Sequence, residues 1–124
     1  DIEVIGMQTT REPDGLAMSS RNAYLNPAER RAATVLHRAL DGARRTIERG
    51  ERDALRITAA MREVVRAEPL VEPDYVEIVD AGTLEPVTRL RGACLALLAG
   101  RIGATRLIDN LLIEEREGVF LVTL

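Results

Sequence analysis

Residues 93–99 read Ala-Cys-Leu-Ala-Leu-Leu-Ala, a continuous apolar run in the second half of the chain. A short apolar run with no polar interruption is typical of a strand that is covered on both faces. Residues 75–80 alternate well enough to predict a second strand, and residues 105–113 return as a third after a turn at 102–104. The pattern therefore predicts a small antiparallel sheet of three strands.

Two helices are predicted ahead of the sheet. The first starts at Asn26, a good capping residue, with Pro27 at the first helical position and Glu29 three residues past the cap, and it ends at Gly50. Its apolar face repeats at helical spacing: Leu36, Leu40, Ala43 and Ile47. The second helix covers residues 53–67. Because the connection is short, we expect the two helices to pack antiparallel.

The predicted fold class is α+β: the sheet packed by the two antiparallel helices, preceded by a short N-terminal strand and a loop. We expect a single domain over residues 1–124. Its parts are the strand and loop (1–25), the helical pair (26–68), the sheet (74–113) and a tail (114–124). The tail contains the apolar, β-prone stretch Val-Phe-Leu-Val at 119–122. It either adds an edge strand, pairs with another copy, or is poorly ordered.

The composition excludes several classes of protein. With 46% hydrophobic and 30% charged residues and a net charge of −3, the chain is typical of a globular domain and not of a dedicated nucleic-acid binder. Its single cysteine, Cys94, and single histidine, His37, exclude an internal disulfide and a Cys/His metal cluster. We expect both to be structural, with Cys94 buried and inert and His37 partly buried. No apolar run is long enough for a membrane span and no signal peptide is apparent, so a cytoplasmic location is predicted.

Residues 14–22, Asp-Gly-Leu-Ala-Met-Ser-Ser-Arg-Asn, combine features of a phosphate-binding loop. Gly15 permits a sharp bend because it takes positive φ without steric cost. Ser19 and Ser20 each supply a hydroxyl and a backbone N–H, and Arg21 supplies a planar fork of donors that matches phosphate oxygens. The alternative is an ordinary surface loop that leads into a capped helix.

A wider set of residues resembles one family. Residues 11–22, Arg-Glu-Pro-Asp-Gly-Leu-Ala-Met-Ser-Ser-Arg-Asn, closely resemble the ATP-binding segment of the pantothenate synthetase (pantoate–β-alanine ligase) family. Residues 105–110, Thr-Arg-Leu-Ile-Asp-Asn, resemble the C-terminal signature of that family, and residues 74–80 fit between the two in the family's order. The resemblance runs from about residue 2 to about residue 114.

The resemblance implies the ATP-clamping C-terminal lid of a two-step ligase. Pantoate is activated by ATP, accompanied by Mg²⁺, to an adenylate intermediate, which β-alanine then converts to pantothenate. The catalytic histidines and the pantoate and β-alanine contacts of the family lie in an N-terminal nucleotide-binding domain that this chain does not resemble. We therefore expect the isolated chain to be inactive.

The resemblance also implies roles for five residues. Ser19, Ser20 and Arg21 are expected to hold the β- and γ-phosphates, and Arg21 is the residue expected to act in catalysis. Met18 is expected beside the nucleotide, and Thr10 occupies the position of a backbone contact to adenine. No residue of this chain is expected to ligate a metal.

Arg106 and Asp109 have two interpretations. They either lie near the contact with the nucleotide-binding domain, or form a hydrogen-bonded pair that fixes the last strand against the loop; the second is favoured because a charge inside a sheet is normally paired.

A different class of function also stays open. The chain could be a non-catalytic self-association module, with the apolar tail forming a homodimer and the Ser-Ser-Arg loop incidental. No nucleic-acid or membrane partner is expected.

Overall fold

The computed structural model describes residues 11–16 and 24–123. The predicted N-terminal strand at residues 2–6 lies outside them. In chain order, the helices and strands of the described residues are α1 (Pro27–Ala33), α2 (Val35–Glu48), α3 (Ala54–Arg66), β1 (Glu72–Asp80), β2 (Cys94–Ile102), β3 (Thr105–Arg116) and β4 (Val119–Thr123).

The four strands form one antiparallel sheet in the order β1-β2-β3-β4. Strand β2 contains the apolar run, and every residue from 94 to 100 is buried except the partly buried Leu97. Leu98 lies between Val76 of β1 and Asp109 of β3 in the register, so these three side chains share one face. That face carries the main hydrophobic core with the helices, and the other carries a smaller cluster around Leu95 and Leu112. The predicted α+β class is confirmed.

The tail supplies the fourth strand, so the sheet has one strand more than the three predicted. Glu117 (φ 54°) and Gly118 (φ 78°) form a tight two-residue connection from β3 into β4. Phe120 then points into the main core and is 8% exposed, with the guanidinium of Arg52 4.2 Å from its ring centre. Of the three outcomes open for the tail, the edge strand is the one observed. The alternation of Phe120 and Val122 inward explains it, because both pack against the core.

The predicted first helix is divided into α1 and α2 at Thr34. The hydroxyl of Thr34 donates to the carbonyl of Arg31 at 2.6 Å, and its own N–H also bonds that carbonyl. A threonine side chain that bonds its local backbone competes with the regular helical ladder, which accounts for the break. The predicted apolar face is correct: Leu36, Leu40, Ala43 and Ile47 are all buried.

The helix starts are those that the sequence predicts. The side chain of Asn26 accepts from the N–H of Glu29 at 2.8 Å, and the Glu29 carboxylate accepts from the N–H of Asn26 at 3.0 Å, a complete capping box. Asp53 caps α3 by accepting from Leu55 and Arg56. The connection between α2 and α3 is only residues 49–53, and the two helices pack against each other.

Two further observations concern Cys94 and the character of the helices. Cys94 is buried, and burial raises the pKa of its thiol, so the predicted buried cysteine is confirmed. Among the helices within residues 24–123, none combines the length and apolar character that crossing a bilayer requires.

If β4 is an integral part of the core, truncating its inward side chain will be costly. We expect Phe120→Ala to lower the free energy of unfolding of the 124-residue chain by about 3 kcal/mol, because a buried ring is removed and a cavity is left. The neighbouring Leu121 points outward and is 47% exposed, so Leu121→Ala is the matched control, with an expected loss of about 0.5 kcal/mol. Urea denaturation followed by circular dichroism measures both. Equal losses in the two variants would contradict the burial of Phe120.

Candidate functional site

The five residues to which the resemblance assigns nucleotide contacts all lie outside the described part of the chain: Thr10, Met18, Ser19, Ser20 and Arg21. Their roles therefore stay predictions. The structure does describe residues 11–16, which lead into the Ser-Ser-Arg segment, and residues 24–26, which lead out of it. We call residues 11–16 the loop stem.

The loop stem is a tight turn held by its own backbone. The N–H of Glu12 donates to the carbonyl of Leu16 at 2.8 Å, and the N–H of Gly15 donates to the carbonyl of Glu12 at 2.9 Å. Gly15 has φ +90°, the positive value that its residue type permits. Leu16 ends the stem with its side chain in the main hydrophobic core, 3% exposed. The chain therefore enters the Ser-Ser-Arg segment from an anchored turn.

A two-point ion pair joins the stem to the sheet. Arg11 donates through Nη1 to Oδ2 of Asp109 at 2.7 Å and through Nη2 to Oδ1 at 2.9 Å. Both side chains are largely removed from solvent, with 13% of Arg11 and 2% of Asp109 exposed. Nη1 of Arg11 also donates to the carbonyl of Gly15 at 3.0 Å. One guanidinium thus closes the turn of the stem and fixes it to β3.

The prediction that Asp109 pairs with Arg106 is wrong in its partner but correct in its purpose. The two residues are three positions apart on a strand, so their side chains point to opposite faces of the sheet. Arg106 instead donates to Asp74 at 2.7 Å, with its guanidinium 5.5 Å from the ring centre of Tyr75. Asp109 does fix β3 against the loop, as the structural interpretation requires, but through Arg11.

Helix α1 holds the outer side of the stem. Arg30 pairs with Glu12 through Nη2, and its Nε lies 3.4 Å from Oδ2 of Asp14. Since the capping box at Asn26 fixes where α1 begins, the stem and the end of the loop are tied to the same helix. Sequence reasoning did not find the roles of Arg11 and Arg30. A charged residue inside a β-strand, such as Asp109, signals the need for a cation, but the sequence does not indicate which of 17 arginines supplies it.

His37 of α2 packs on the stem. A Cβ atom added to Gly15 would lie 2.6 Å from Cδ2 of the His37 ring, closer than side-chain contacts allow. Position 15 therefore needs glycine twice, for its positive φ and for the space. Nδ1 of His37 is buried with no hydrogen-bond partner in the described part of the chain. The predicted structural role of His37 stays a prediction, and the packing on Gly15 supports it.

A shallow cavity of about 410 Å³ opens beside the place where the loop rejoins the helices. Its lining within residues 11–16 and 24–123 is Tyr24 together with Ala104, Thr105 and Arg106 at the start of β3. The block at residues 105–110 therefore borders the cavity through its first two members, and Tyr24 lies two positions after the end of the block at residues 11–22. In the same described residues no group of three His, Cys, Asp or Glu side chains is arranged to hold a metal ion.

The fold and the joined blocks define a domain of a ligase family, and comparison with known proteins identifies it. The family model described as pantoate-beta-alanine ligase matches residues 1–112, and the chain belongs to that family. It is similar to the pantothenate synthetase of Roseiflexus castenholzii, at 56% identity over 113 residues, which is 91% of this chain and 41% of that protein. The pantothenate synthetase of Heliobacterium modesticaldum is 55% identical over 113 residues, covering 91% of this chain and 40% of that protein.

Solved structures agree with the sequence comparison. The crystal structure of pantothenate synthetase from Thermus thermophilus matches with a TM-score of 0.77 and 42% sequence identity, over 82% of this chain and 37% of that one. The chain thus spans well under half of the length of the relatives it matches. The family match ends at residue 112, so β4 lies beyond it.

We expect Gly15→Ala to destabilise the chain by about 2 kcal/mol, because alanine resists positive φ and its Cβ meets the His37 ring. Replacing His37 by alanine in the Gly15→Ala background removes the clash but leaves the backbone strain. Gly15→Ala should therefore lower the free energy of unfolding by less in the His37→Ala background than in the chain that keeps His37. Urea denaturation of the four proteins measures this coupling. An alanine at position 15 that is as stable as glycine would contradict the geometry of the stem.

Proposed function

We propose that this chain is the C-terminal, ATP-clamping part of a pantothenate synthetase, which joins pantoate and β-alanine at the expense of ATP. The observation that carries the proposal is the family match over residues 1–112, which includes both blocks. The contact between those blocks through Arg11 and Asp109 supports it, since it brings the C-terminal signature to the base of the Ser-Ser-Arg loop. The relatives are more than twice as long as this chain. We assign the rest of the enzyme to an N-terminal nucleotide-binding domain, as the family resemblance implies.

The proposed reaction has two steps. A carboxylate oxygen of pantoate forms a bond to the α-phosphorus of ATP, and the bond from that phosphorus to the oxygen bridging to the β-phosphate breaks, which releases pyrophosphate. The amine of β-alanine then attacks the acyl carbon of the adenylate, loses a proton, and displaces AMP. The first step requires the nucleophile, the phosphorus and the leaving oxygen to lie in line, so it depends on placement.

The residues of this chain act on the leaving group. We assign Ser19, Ser20 and Arg21 to the β- and γ-phosphates, where negative charge grows as pyrophosphate departs. Met18 and the backbone of Thr10 are assigned to the nucleoside end of ATP. The described stem fits this role because it holds the entry to the loop at a fixed position and direction. Mg²⁺, bound with ATP, would neutralise further phosphate charge.

In the full-length enzyme we expect Arg21→Ala to slow adenylate formation by about a hundredfold, because a donor aimed at developing charge is lost. Pantoate-dependent exchange of labelled pyrophosphate into ATP measures this step alone. Arg66→Ala, which removes an exposed arginine from the last turn of α3, is the matched control and should leave exchange unchanged. If Arg21→Ala altered only the dependence on β-alanine, the assignment of the loop to ATP would be wrong.

The isolated 124-residue chain is expected to be inactive. The proposal places the catalytic histidines and the contacts to pantoate and β-alanine in the N-terminal domain, and the chain's only histidine packs on the loop stem. A coupled assay for AMP release, with the full-length enzyme as positive control, should give no signal above the protein-free background. Pantothenate formation by the isolated chain would contradict this division of labour.

The alternative function, a self-association module, has less support. The apolar side chain of Phe120 in the tail is used within its own chain, and the Ser-Ser-Arg segment lies inside the family match. Val119 and Leu121 remain exposed on the outer face of β4, at 58% and 47%. A homodimer and a cytoplasmic location are retained as parts of the proposal for the whole enzyme.

A further inference from the structure

We propose that Arg11 and Asp109 are positioning residues for the first step of the reaction, because their ion pair sets the place from which the phosphate-binding segment starts. The inference rests on the proposed function. It adds that a buried contact outside the nucleotide-binding residues controls adenylate formation and leaves the second step alone.

The first argument is the geometry of the pair. Two hydrogen bonds between different pairs of atoms, of 2.7 and 2.9 Å, fix both the distance and the orientation between guanidinium and carboxylate. The third bond, from Nη1 to the carbonyl of Gly15, transfers that orientation to the last turn of the stem. Leu16 follows directly, and the Ser-Ser-Arg segment begins three residues later. Arg11 therefore holds the loop stem at a fixed distance and orientation from β3.

The second argument is that β3, the strand that carries Asp109, is itself firmly held. Asp109 lies on β3, which pairs with β2 along its length and with β4 at its C-terminal end. Its Oδ1 also accepts the N–H of Asn110 at 2.8 Å, which fixes the carboxylate on its own strand. The opposite side of the stem is bound to α1 through Arg30. The stem is therefore held on one side by the sheet and on the other by a helix.

The third argument is that stability alone is a poor reason for burying this pair. Desolvating two charges can outweigh their attraction, and apolar residues of similar size often serve the core as well. Nε of Arg11 is buried without a hydrogen-bond partner among residues 11–16 and 24–123, so this guanidinium is not fully compensated either. What an apolar replacement could not provide is a fixed direction for the stem.

The test uses the full-length enzyme with Arg11→Lys and Asp109→Asn. The first keeps the charge but removes the planar fork, and the second keeps the shape but removes the charge. Both variants should slow pantoate-dependent pyrophosphate exchange by about ten- to a hundredfold, since small displacements of aligned groups have effects of this size. The loss is expected mainly in kcat, with a smaller change in KM for ATP.

The second half-reaction separates positioning from folding. When synthetic pantoyl adenylate is supplied, β-alanine attacks a molecule that has already lost pyrophosphate, so the phosphate-binding segment has no further part in the reaction. Pantothenate formation from the adenylate should therefore be unchanged in both variants. Arg44→Ala is the matched control, since it breaks the 2.5 Å pair with Asp41 on α2 and should affect neither half-reaction.

Each outcome decides for or against the inference. Equal losses in both half-reactions, or failure of both variants to fold, would assign the pair a purely structural role and overturn it. Unchanged exchange in both variants would overturn it as well. Arg21→Ala, measured in parallel, separates failure of the proposed function from failure of this inference. If Arg21→Ala leaves pyrophosphate exchange intact, the proposed function fails. If it abolishes exchange while Arg11→Lys and Asp109→Asn do not slow it, only this inference fails.

Discussion

The buried ion pair between Arg11 and Asp109 is the constraint on which the arrangement of the described residues depends. It joins positions 98 residues apart, and it does so on the face of the sheet that the helices also cover. A carboxylate that is 2% exposed requires a cation and directed hydrogen bonds, so the stem cannot leave β3 without exposing an uncompensated charge. The packing of Gly15 on His37 and the burial of Leu16 in the main core hold the stem in the same position as that attachment does.

The Arg11–Asp109 ion pair brings the two blocks that carry the family resemblance into contact. Residues 11–22 supply the stem and the segment proposed to bind ATP, and residues 105–110 supply the strand to which the stem is fixed. Asp109 is the member that makes the contact, whereas Arg106 faces the opposite side and pairs with Asp74. Through Asp109, the block at residues 105–110 therefore supports the stem that leads into the segment proposed to bind ATP.

Backbone conformation and side-chain contacts both hold the described residues on the two sides of the loop. On one side a glycine with φ +90° gives the turn, and on the other a capping box starts α1 at Pro27. Arg30 then connects the two ends by pairing with acidic residues of the stem. The described residues on either side of the segment proposed to bind ATP are therefore held by groups with fixed geometry.

Local patterns by themselves determined the helix starts, the buried helix faces, the central apolar strand and the positive φ of Gly15, because each depends on neighbours within a few residues. The family, and through it the proposed role of Ser19, Ser20 and Arg21, was also readable from two short blocks. Only the tertiary structure decided that Arg11 and not Arg106 meets Asp109, that His37 needs the space at Gly15, and that the tail is a fourth strand. Those outcomes depend on which faces meet after the sheet and helices pack. Phe120, for example, is buried against core residues that come from distant parts of the chain.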